Sequence, residues 1–423
     1  MKHSFLSKYW FQICVLLTFC IHVFFQFYQL QSRSIFGWDQ VNNAWAAIRI
    51  LKEHSFPLLG MVAKGNSGMY IGPLYYYFVS VFYFFTNLDP IASPIIAATT
   101  SIISFITILF VAYKLYGKNV ALLSLLIYSF SSFIIRSERL QWPVNFIAPV
   151  SLLLFYALYK VINGRQNYLP LLALLVGLSF HVHFTSIFYP IIIICTLPIL
   201  PWKKLSWKTV VLSILIFVLL FIPQIIYFFQ SKNSGAASNY LTYFQTYFHG
   251  FHLRRVVQMG HDAFIQFESI LSPFRFLRPT VFFYIILYSF FAIKKFTFQK
   301  IWKLLYLNAL WIIVPWFIFS TYSGEISDYY FFISQFTSVM MLSCIIVWVM
   351  EYKIKLINII MCLLLAIYAY ANISVFFSVG KGNLQTDRIT VQQKIQTGQT
   401  LQFTEGDPQY YLYHIYTHYQ KGQ

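Results

Sequence analysis

Four acidic side chains are the groups in this chain best suited to acid–base chemistry. Acids are scarce, with 12 Asp and Glu against 30 Lys and Arg. Those near the ends of long apolar runs are Asp39, Glu138, Glu325 and Asp328. A carboxylate can remove a proton from a hydroxyl or an amine, and it can also bind a metal ion. Asp39 is the first candidate because it follows the first apolar run directly.

Two compatible interpretations apply to Asp39. An Asp before a helical run accepts backbone N–H bonds as an N-cap. The residues that follow have helical spacing, with Val41, Trp45, Ile48 and Leu51 on one apolar face. An Asp held by such bonds would also be preorganised as a base, so the structural role and the chemical role do not exclude each other.

Glu138 lies between Arg136 and Arg139 in the stretch RSERLQWPVN, residues 136–145. One interpretation is a local ion pair, which contributes little to stability when exposed. The other, which we adopt, places Glu138 opposite Asp39 across a cavity, with the two arginines holding a phosphate through their bidentate forks. Asp39 and Glu138 would then also be the ligands of a divalent metal, if one takes part.

Two further segments carry candidate binding residues. In GLSFHVHFTS, residues 177–186, His181 and His183 are about 200° apart on a helix, so both serve one site only if the helix ends between them. Alternatively, either one is a hydrogen-bonded packing group. The arginines of segment 230–278 either are solvated or bind the phosphate of a membrane lipid: Arg254, Arg255, Arg275 and Arg278. The sequence contains no catalytic Ser-His-Asp order, zinc spacing or nucleotide-binding fingerprint.

The composition is that of a membrane protein. Of the 423 residues, 59% are hydrophobic and 10% are charged, whereas soluble domains have about 25% charged residues. The mean hydropathy is +0.64. The net charge of +18 is explained by membrane topology and anionic lipid headgroups, so we predict no nucleic-acid partner. The five cysteines fall within apolar runs without metal-ligand spacing, as small core residues do.

Eleven apolar runs predict eleven transmembrane helices. Short basic loops mark the cytoplasmic side, and they all fall on one face if the aromatic segment 73–88 lies in the outer interface instead of crossing. The amino terminus is then inside and the carboxyl terminus outside. The predicted spans lie near residues 9–30, 94–113, 120–135, 146–162, 168–184, 185–200, 209–229, 279–293, 302–320, 329–350 and 354–376.

This orientation places the long, varied segments outside, and ionisable groups at that depth are functional candidates. The first outer loop, residues 31–93, is predicted to hold interfacial helices, one of which starts at Asp39. We divide the chain into a transmembrane domain, residues 1–376, and an extracytoplasmic tail, residues 377–423. The tail is too short to fold without packing on the outer loops.

Five stretches resemble bacterial membrane glycosyltransferases similar to family 39, the protein O-mannosyltransferase and aminoarabinose-transferase type with the GT-C fold. They are FGWDQ at 36–40, GPLYYYFVSVFYFF at 72–85, LQWPVN at 140–145, GLSFHVHFTS at 177–186 and ISDYYFF at 326–332. Their order and spacing match, and the resemblance covers roughly residues 30 to 335. It implies an all-α bundle of about eleven transmembrane helices.

The resemblance also implies an activity. Such enzymes transfer a sugar from a polyprenyl-phosphate donor on the extracytoplasmic face, with inversion, and need an acid in the first outer loop, where this chain has Asp39. Many relatives have Asp-Glu, whereas Gln40 follows Asp39 here. We therefore predict Asp39 and Glu138 as catalytic residues in a bacterial inner-membrane enzyme. The predicted substrate-binding residues are Gln40, Tyr75, Arg136, Arg139, His183, Arg254, Arg255, Asp328 and Tyr329.

Two other functional classes stay open at this point. A transporter or lipid flippase would show interrupted helices and paired polar sites near the bilayer midplane, whereas the spans here are apolar in sequence. A noncatalytic membrane scaffold would not need the scarce outer acids. The sugar and the acceptor, which could be a lipid, a glycan or a protein, are not specified by these residues.

Overall fold

The computed structural model describes residues 5–63, 68–230, 242–243, 245–248, 250–270 and 281–420. Within these ranges the chain is helical and forms no β-strand. The helices are α1 Phe5–Phe27, α2 Trp38–Leu51, α3 Leu74–Phe85, α4 Ala92–Tyr116, α5 Lys118–Phe130, α6 Ser132–Glu138, α7 Ile147–Ile162, α8 Leu169–Ser179, α9 Phe188–Thr196, α10 Trp207–Gln230, α11 Leu253–Ile270, α12 Val281–Lys295, α13 Phe298–Phe319, α14 Gln335–Met350, α15 Lys355–Ser378, α16 Leu384–Gln396 and α17 Pro408–His414.

Long apolar helices form the body of the molecule. Among the described residues, seven helices are long and apolar enough to cross a membrane, or eight if the bent pair α5 and α6 forms one span. Shorter apolar helices occupy Leu74–Phe85, Gln166–Ser179 and Phe184–Ile199. The predicted all-α polytopic membrane fold is confirmed, while the count of eleven spans stays a prediction.

The break between α5 and α6 redirects the chain before residues 139–145. The two helices are bent by 69° around Ser131. The side-chain oxygen of Asn372, from α15, accepts hydrogen bonds from the Ser132 backbone N–H at 2.9 Å and the Ser132 hydroxyl at 2.8 Å. These bonds supply partners for polar groups that a break would otherwise leave unpaired in the bundle. The loop 139–145 leaves the bundle directly after this break.

A second, smaller layer lies on the bundle. Helices α2 and α3 pack together, and their apolar faces share one buried cluster with residues of the tail: Phe36, Val41, Ala44, Ala47, Ile48, Tyr75, Val79, Tyr83, Leu88, Ala92, Ile96, Leu384, Tyr411 and Ile415. At 12 residues, α3 is about 18 Å long, short of the ~30 Å of hydrocarbon. Because Leu384, Tyr411 and Ile415 belong to this cluster, the tail packs on residues 31–93. This is the packing expected for a segment too short to fold alone.

Candidate active site

Asp39 is the second residue of α2. The N-cap of the helix is Gly37, whose backbone N–H donates to the side-chain oxygen of Gln40 at 3.0 Å. The interpretation of Asp39 as the N-cap is therefore wrong, because Gln40 satisfies the terminal amide instead. The Asp39 carboxylate keeps a favourable position in the first turn, where the helix dipole attracts a negative charge.

The Asp39 side chain is half-buried, and among the described residues it forms no hydrogen bond and no ion pair. Burial raises the pKa of the Asp39 carboxyl above its usual value. Its charge reaches the hydroxyls of Tyr75, Tyr76 and Tyr329. Asp39 is thus a carboxylate without a hydrogen-bond partner among the described residues, and its charge acts on three phenols.

Gln40 and Gln141 join the first outer loop to the loop after α6. The Gln40 side-chain amide donates to the Gln141 backbone carbonyl at 2.5 Å. The Gln141 side-chain amide in turn donates to the Tyr75 hydroxyl at 2.7 Å, and its side-chain oxygen accepts from Ser93 at 3.4 Å. All four side chains are buried. Gln40 therefore helps to position α2 through both ends of its amide, and its predicted role in binding the substrate stays a prediction.

Aromatic side chains link the same loop to the later motifs. The Trp142 ring meets Tyr329 edge to face at 5.0 Å, and the His183 ring lies 5.5 Å from Tyr329 and 5.2 Å from Tyr330. The Trp142 indole donates to the side-chain oxygen of Asn145 at 2.6 Å. Five stretches that are far apart in sequence are therefore connected by side-chain contacts, which include Gln40, the chain neighbour of Asp39.

The two histidines are both engaged in local structure. His183 is the N-cap of the short turn Phe184–Ile187, accepting from the Thr185 backbone N–H at 3.3 Å. His181 accepts from the Leu74 N–H at 3.4 Å, and its other ring nitrogen bonds the Leu220 carbonyl at 2.9 Å. Burial lowers the pKa of His181. His181 thus holds the start of α3, and His183 lies beside the tyrosines of the site.

Gly72 is needed where the His181 ring meets the first outer loop. A Cβ atom at position 72 would lie 1.9 Å from the His181 Nδ1 atom. The glycine therefore allows the backbone before α3 to lie directly on the histidine ring.

Glu138 lies inside the bundle. Its carboxylate accepts from the Ser101 hydroxyl at 2.7 Å and from the Tyr128 hydroxyl at 2.5 Å. Ser101 also bonds the His22 ring at 2.8 Å, so the four side chains form one buried network. Glu138 is therefore already hydrogen-bonded, and its predicted pairing with Asp39 across a cavity stays a prediction.

Of the two arginines beside Glu138, one is structural. Arg139 donates to the carbonyls of Phe25 at 2.5 Å, Gln26 at 2.9 Å and Tyr28 at 3.0 Å. These carbonyls end α1, so Arg139 caps that helix and is not free for the predicted phosphate contact. Arg136 is exposed and forms no hydrogen bond or ion pair with a described residue, so it stays available.

The arginines of the later segment divide in the same way. Arg255 donates to the Tyr322 and Gly324 carbonyls, each at 3.1 Å, and to the Gln258 side chain at 3.2 Å. Arg254 is exposed. Arg275 and Arg278 lie outside the described residues.

The two later acids and one further arginine complete the charged groups of this region. Glu325 and Asp328 are exposed, and both have contacts of their own. Burial raises the pKa of Tyr76 to about 12, while Arg49 opposes that shift and Asp39 adds to it. Arg49 is exposed in the last turn of α2, and Asp39 lies in the first turn of the same helix. Sequence reasoning missed Arg49 because the residue was assigned only to the polar face of the helix.

An apolar cavity of about 180 Å³ borders the aromatic part of the site. Phe184, one of its walls, packs on Tyr330 at 5.1 Å, which is the chain neighbour of Tyr329. Its other walls are Ala63, Met69, Tyr70, Ile71, Phe180, Ile187, Phe188, Tyr243, Phe248, Ile318 and Phe319. The cavity suits a hydrocarbon chain and not a sugar.

The residues present do not fit the metal site that the sequence suggested. In the part of the chain that the structure describes, no three His, Cys, Asp or Glu side chains cluster as metal ligands would. Of the two suggested ligands, Glu138 is hydrogen-bonded to Ser101 and Tyr128, and Asp39 lies in the first turn of α2.

Comparison with known proteins gives a family match and a fold. Residues 70–227 match the family of dolichyl-phosphate-mannose-protein mannosyltransferases. ArnT from Cupriavidus metallidurans, solved bound to undecaprenyl phosphate, is similar at a TM-score of 0.59 and 11% identity, covering 94% of this chain and 74% of ArnT. No curated protein sequence matches the chain.

A second solved structure has the same fold. AglB from Archaeoglobus fulgidus, an oligosaccharyltransferase in complex with an inhibitory peptide and a dolichol-phosphate, is similar at a TM-score of 0.61 and 12% identity. The match covers 97% of this chain and 60% of AglB. The chain thus has the GT-C fold, and the resemblance to family 39 membrane glycosyltransferases is confirmed. The family match does not include Asp39.

Proposed function

We propose that this integral membrane protein is a glycosyltransferase that moves a sugar from a polyprenyl phosphate to an acceptor on the extracytoplasmic face. The main observation behind the proposal is the half-buried Asp39 carboxylate, which has no hydrogen-bond partner among the described residues. It lies next to Gln40, one of the residues through which five separate stretches of the chain are connected. The fold and the family match of residues 70–227 support this class of reaction.

Asp39 acts as the general base in this proposal. Burial raises the pKa of its carboxyl, which makes the carboxylate a stronger base for an acceptor hydroxyl or amine. The acceptor atom attacks the anomeric carbon, its proton passes to Asp39, and the bond from that carbon to the phosphate oxygen breaks. A single displacement of this kind inverts the anomeric configuration.

Tyr75 is the proposed partner of Asp39 in binding the substrate. Its hydroxyl accepts from Gln141, and none of the described residues accepts a hydrogen bond from its own proton. Burial raises the pKa of Tyr75, and the nearby Asp39 raises it further, so the phenol stays protonated and can donate. Tyr329, which is also affected by the charge of Asp39, serves as a second contact.

Two features support a polyprenyl phosphate as the donor lipid. The apolar cavity beside Tyr330 accommodates part of an isoprenoid chain, and exposed arginines can balance the phosphate charge: Arg49, Arg136 and Arg254. ArnT was solved with undecaprenyl phosphate and AglB with dolichol-phosphate. The bacterial inner membrane is the proposed location.

Purified protein tests the proposal directly. In detergent, it should release polyprenyl phosphate from a labelled polyprenyl-phosphate mannose when an acceptor extract is present, and the Asp39→Asn variant should not. NMR of the product should show the inverted anomeric configuration. Unchanged donor with every polyprenyl-phosphate sugar and acceptor extract tried would reject the activity.

One observation favours the flippase as a second candidate. The structure contains an interrupted helix, bent by 69°, and the buried polar group of His22, Ser101, Tyr128 and Glu138. The expectation of purely apolar spans was therefore wrong. Fluorescent polyprenyl-phosphate sugar in vesicles separates the two functions, because a flippase moves the intact lipid across the membrane whereas the transferase cleaves it.

A further inference from the structure

The tail of the chain is hydrogen-bonded to the backbone segment that leads into α2. The side-chain oxygen of Asn383 accepts from the Phe36 N–H at 2.8 Å, and its amide nitrogen donates to the Phe36 carbonyl at 2.8 Å. One side chain therefore satisfies both polar groups of a single residue, which lies three positions before Asp39. Phe36 itself is fully buried.

The orientation of Asn383 is fixed by its own neighbours. Its amide nitrogen also donates to one Asp387 oxygen at 2.7 Å, and the other Asp387 oxygen accepts from the Gln409 side chain at 3.0 Å. Backbone bonds run alongside, from Gly382 to the Ser32 carbonyl at 2.8 Å and from Leu384 to the Ser34 carbonyl at 3.3 Å. The amide of Asn383 is thus held in one orientation by α16 and α17.

The tail is anchored independently of Asn383. The Tyr411 hydroxyl donates to the Leu88 carbonyl at 2.9 Å, and Arg388 forms an ion pair with Asp89. Gly406, at φ +77°, lies against Trp38, where a Cβ atom would come within 1.9 Å of the indole Cδ1. These contacts join the tail to both ends of the α2–α3 unit, so the tail is a fixed support on which the residues before Asp39 rest.

We propose that Asn383 is a positioning residue for Asp39, and that the tail, residues 379–420, is a clamp that sets where the first turn of α2 begins. The inference rests on the proposed glycosyl transfer. Misplacing a catalytic group by about 1 Å can cost up to about 100-fold in rate. Loss of the clamp should therefore act on turnover, while the lipid-binding cavity, lined by other segments, keeps its affinity for the donor.

The test compares Asn383→Ala with Gln392→Ala. Gln392 is an exposed residue of α16, the helix that begins directly after Asn383. Hydrogen exchange measures the Phe36 and Gly37 amides, and steady-state kinetics measure kcat and the KM for polyprenyl-phosphate sugar. We expect Asn383→Ala to exchange faster at Phe36 and to lose about 10- to 100-fold in kcat, with KM within about threefold. Gln392→Ala should match the wild type in all three measurements.

Asp387→Asn provides a milder second variant, because it keeps one acceptor for Asn383. It should give intermediate exchange and intermediate kcat, which keeps the proposal testable if Asn383→Ala does not fold. Wild-type kcat in a variant whose Phe36 amide exchanges faster would overturn the positioning role. A lower kcat without faster exchange would overturn it too. An inactive wild type would instead reject the proposed function, while the exchange data would still report on the clamp.

Discussion

The side-chain amide of Gln40 donates a 2.5 Å hydrogen bond to the backbone carbonyl of Gln141, across 101 residues of sequence. Glu at this position would match the commoner pair of the related enzymes, and from sequence alone Gln40→Glu should be tolerated. The structure predicts the opposite, because a carboxylate cannot donate and would face the carbonyl oxygen in a buried place. Gln40→Glu should cost about 1–3 kcal/mol of unfolding free energy and lower transfer.

Thermal unfolding in detergent checks this prediction, with the exposed Gln31→Glu as control. Equal melting temperatures for Gln40→Glu and the wild type at pH 7 would contradict the structural role of the amide.

The carboxylate of Asp39 should be needed for chemistry and not for folding. Asp39→Asn keeps the size of the side chain and breaks no described bond, so stability should change by no more than about 1 kcal/mol, the contribution of a charge in the first helical turn. Transfer should fall by about 10²–10⁴-fold, as for loss of a general base. Glu53→Gln, which changes an exposed acid beyond the end of the same helix, should retain full activity. Near-normal transfer by folded Asp39→Asn would falsify the catalytic assignment.

The pH dependence of transfer should report the buried state of Asp39. Burial raises the pKa of this carboxyl, and a base must be ionised to act, so kcat/KM should fall with decreasing pH along a limb centred above 3.8, the ordinary value. Asp39→Asn should remove that limb from the residual activity. An acid limb that is the same in both proteins would assign it to another group.

The raised pKa of Asp39 also makes the stability of the folded protein depend on pH. The folded state binds the Asp39 proton more tightly than the unfolded state, so this stabilisation is present at low pH and is lost as pH rises through the raised pKa. At neutral pH the ionised carboxylate therefore costs stability. Asp39→Asn should gain relative stability on going from pH 4 to pH 7, which parallel urea titrations at the two values measure.

Glu138 should affect stability more than the rate of transfer. Its carboxylate accepts two hydrogen bonds inside the bundle, from Ser101 and Tyr128. Glu138→Ala leaves both hydroxyls without that acceptor and should cost about 1–3 kcal/mol, while kcat per folded molecule stays within about threefold. Ser101→Ala should give a smaller loss of the same kind. A stable Glu138→Ala protein with abolished transfer would return Glu138 to the catalytic residues.

The neighbouring arginines 254 and 255 should give different kinetic effects. Arg254 is exposed, so Arg254→Gln should raise the KM for the lipid donor without changing kcat, as expected for a phosphate contact made in both ground and transition states. Arg255 holds the Tyr322 and Gly324 carbonyls, so Arg255→Gln should lower the melting temperature. Identical effects of the two substitutions on KM would contradict this division.

The sequence by itself determined the class of fold, an all-α membrane protein. Apolar runs of spanning length and scarce charges leave lipid as the solvent, because backbone groups in lipid must be satisfied within helices. The same scarcity selected Asp39, since an acid beside an apolar run is costly to keep there. These features are local in the chain, and a single sequence shows them.

The tertiary structure decided which of the selected residues share a site. Glu138 and Arg139 look like catalytic and phosphate-binding groups in sequence, yet the bend after Phe130 turns one towards Ser101 and the other towards the end of α1. Gln40 occupies the position where many relatives have the second acid of a pair, but it bonds a carbonyl 101 residues away. Asn383 gave no signal because its importance depends on side-chain contacts that exist only after the helices pack. Such contacts depend on distance in space, which neither hydrophobic period nor charge count encodes.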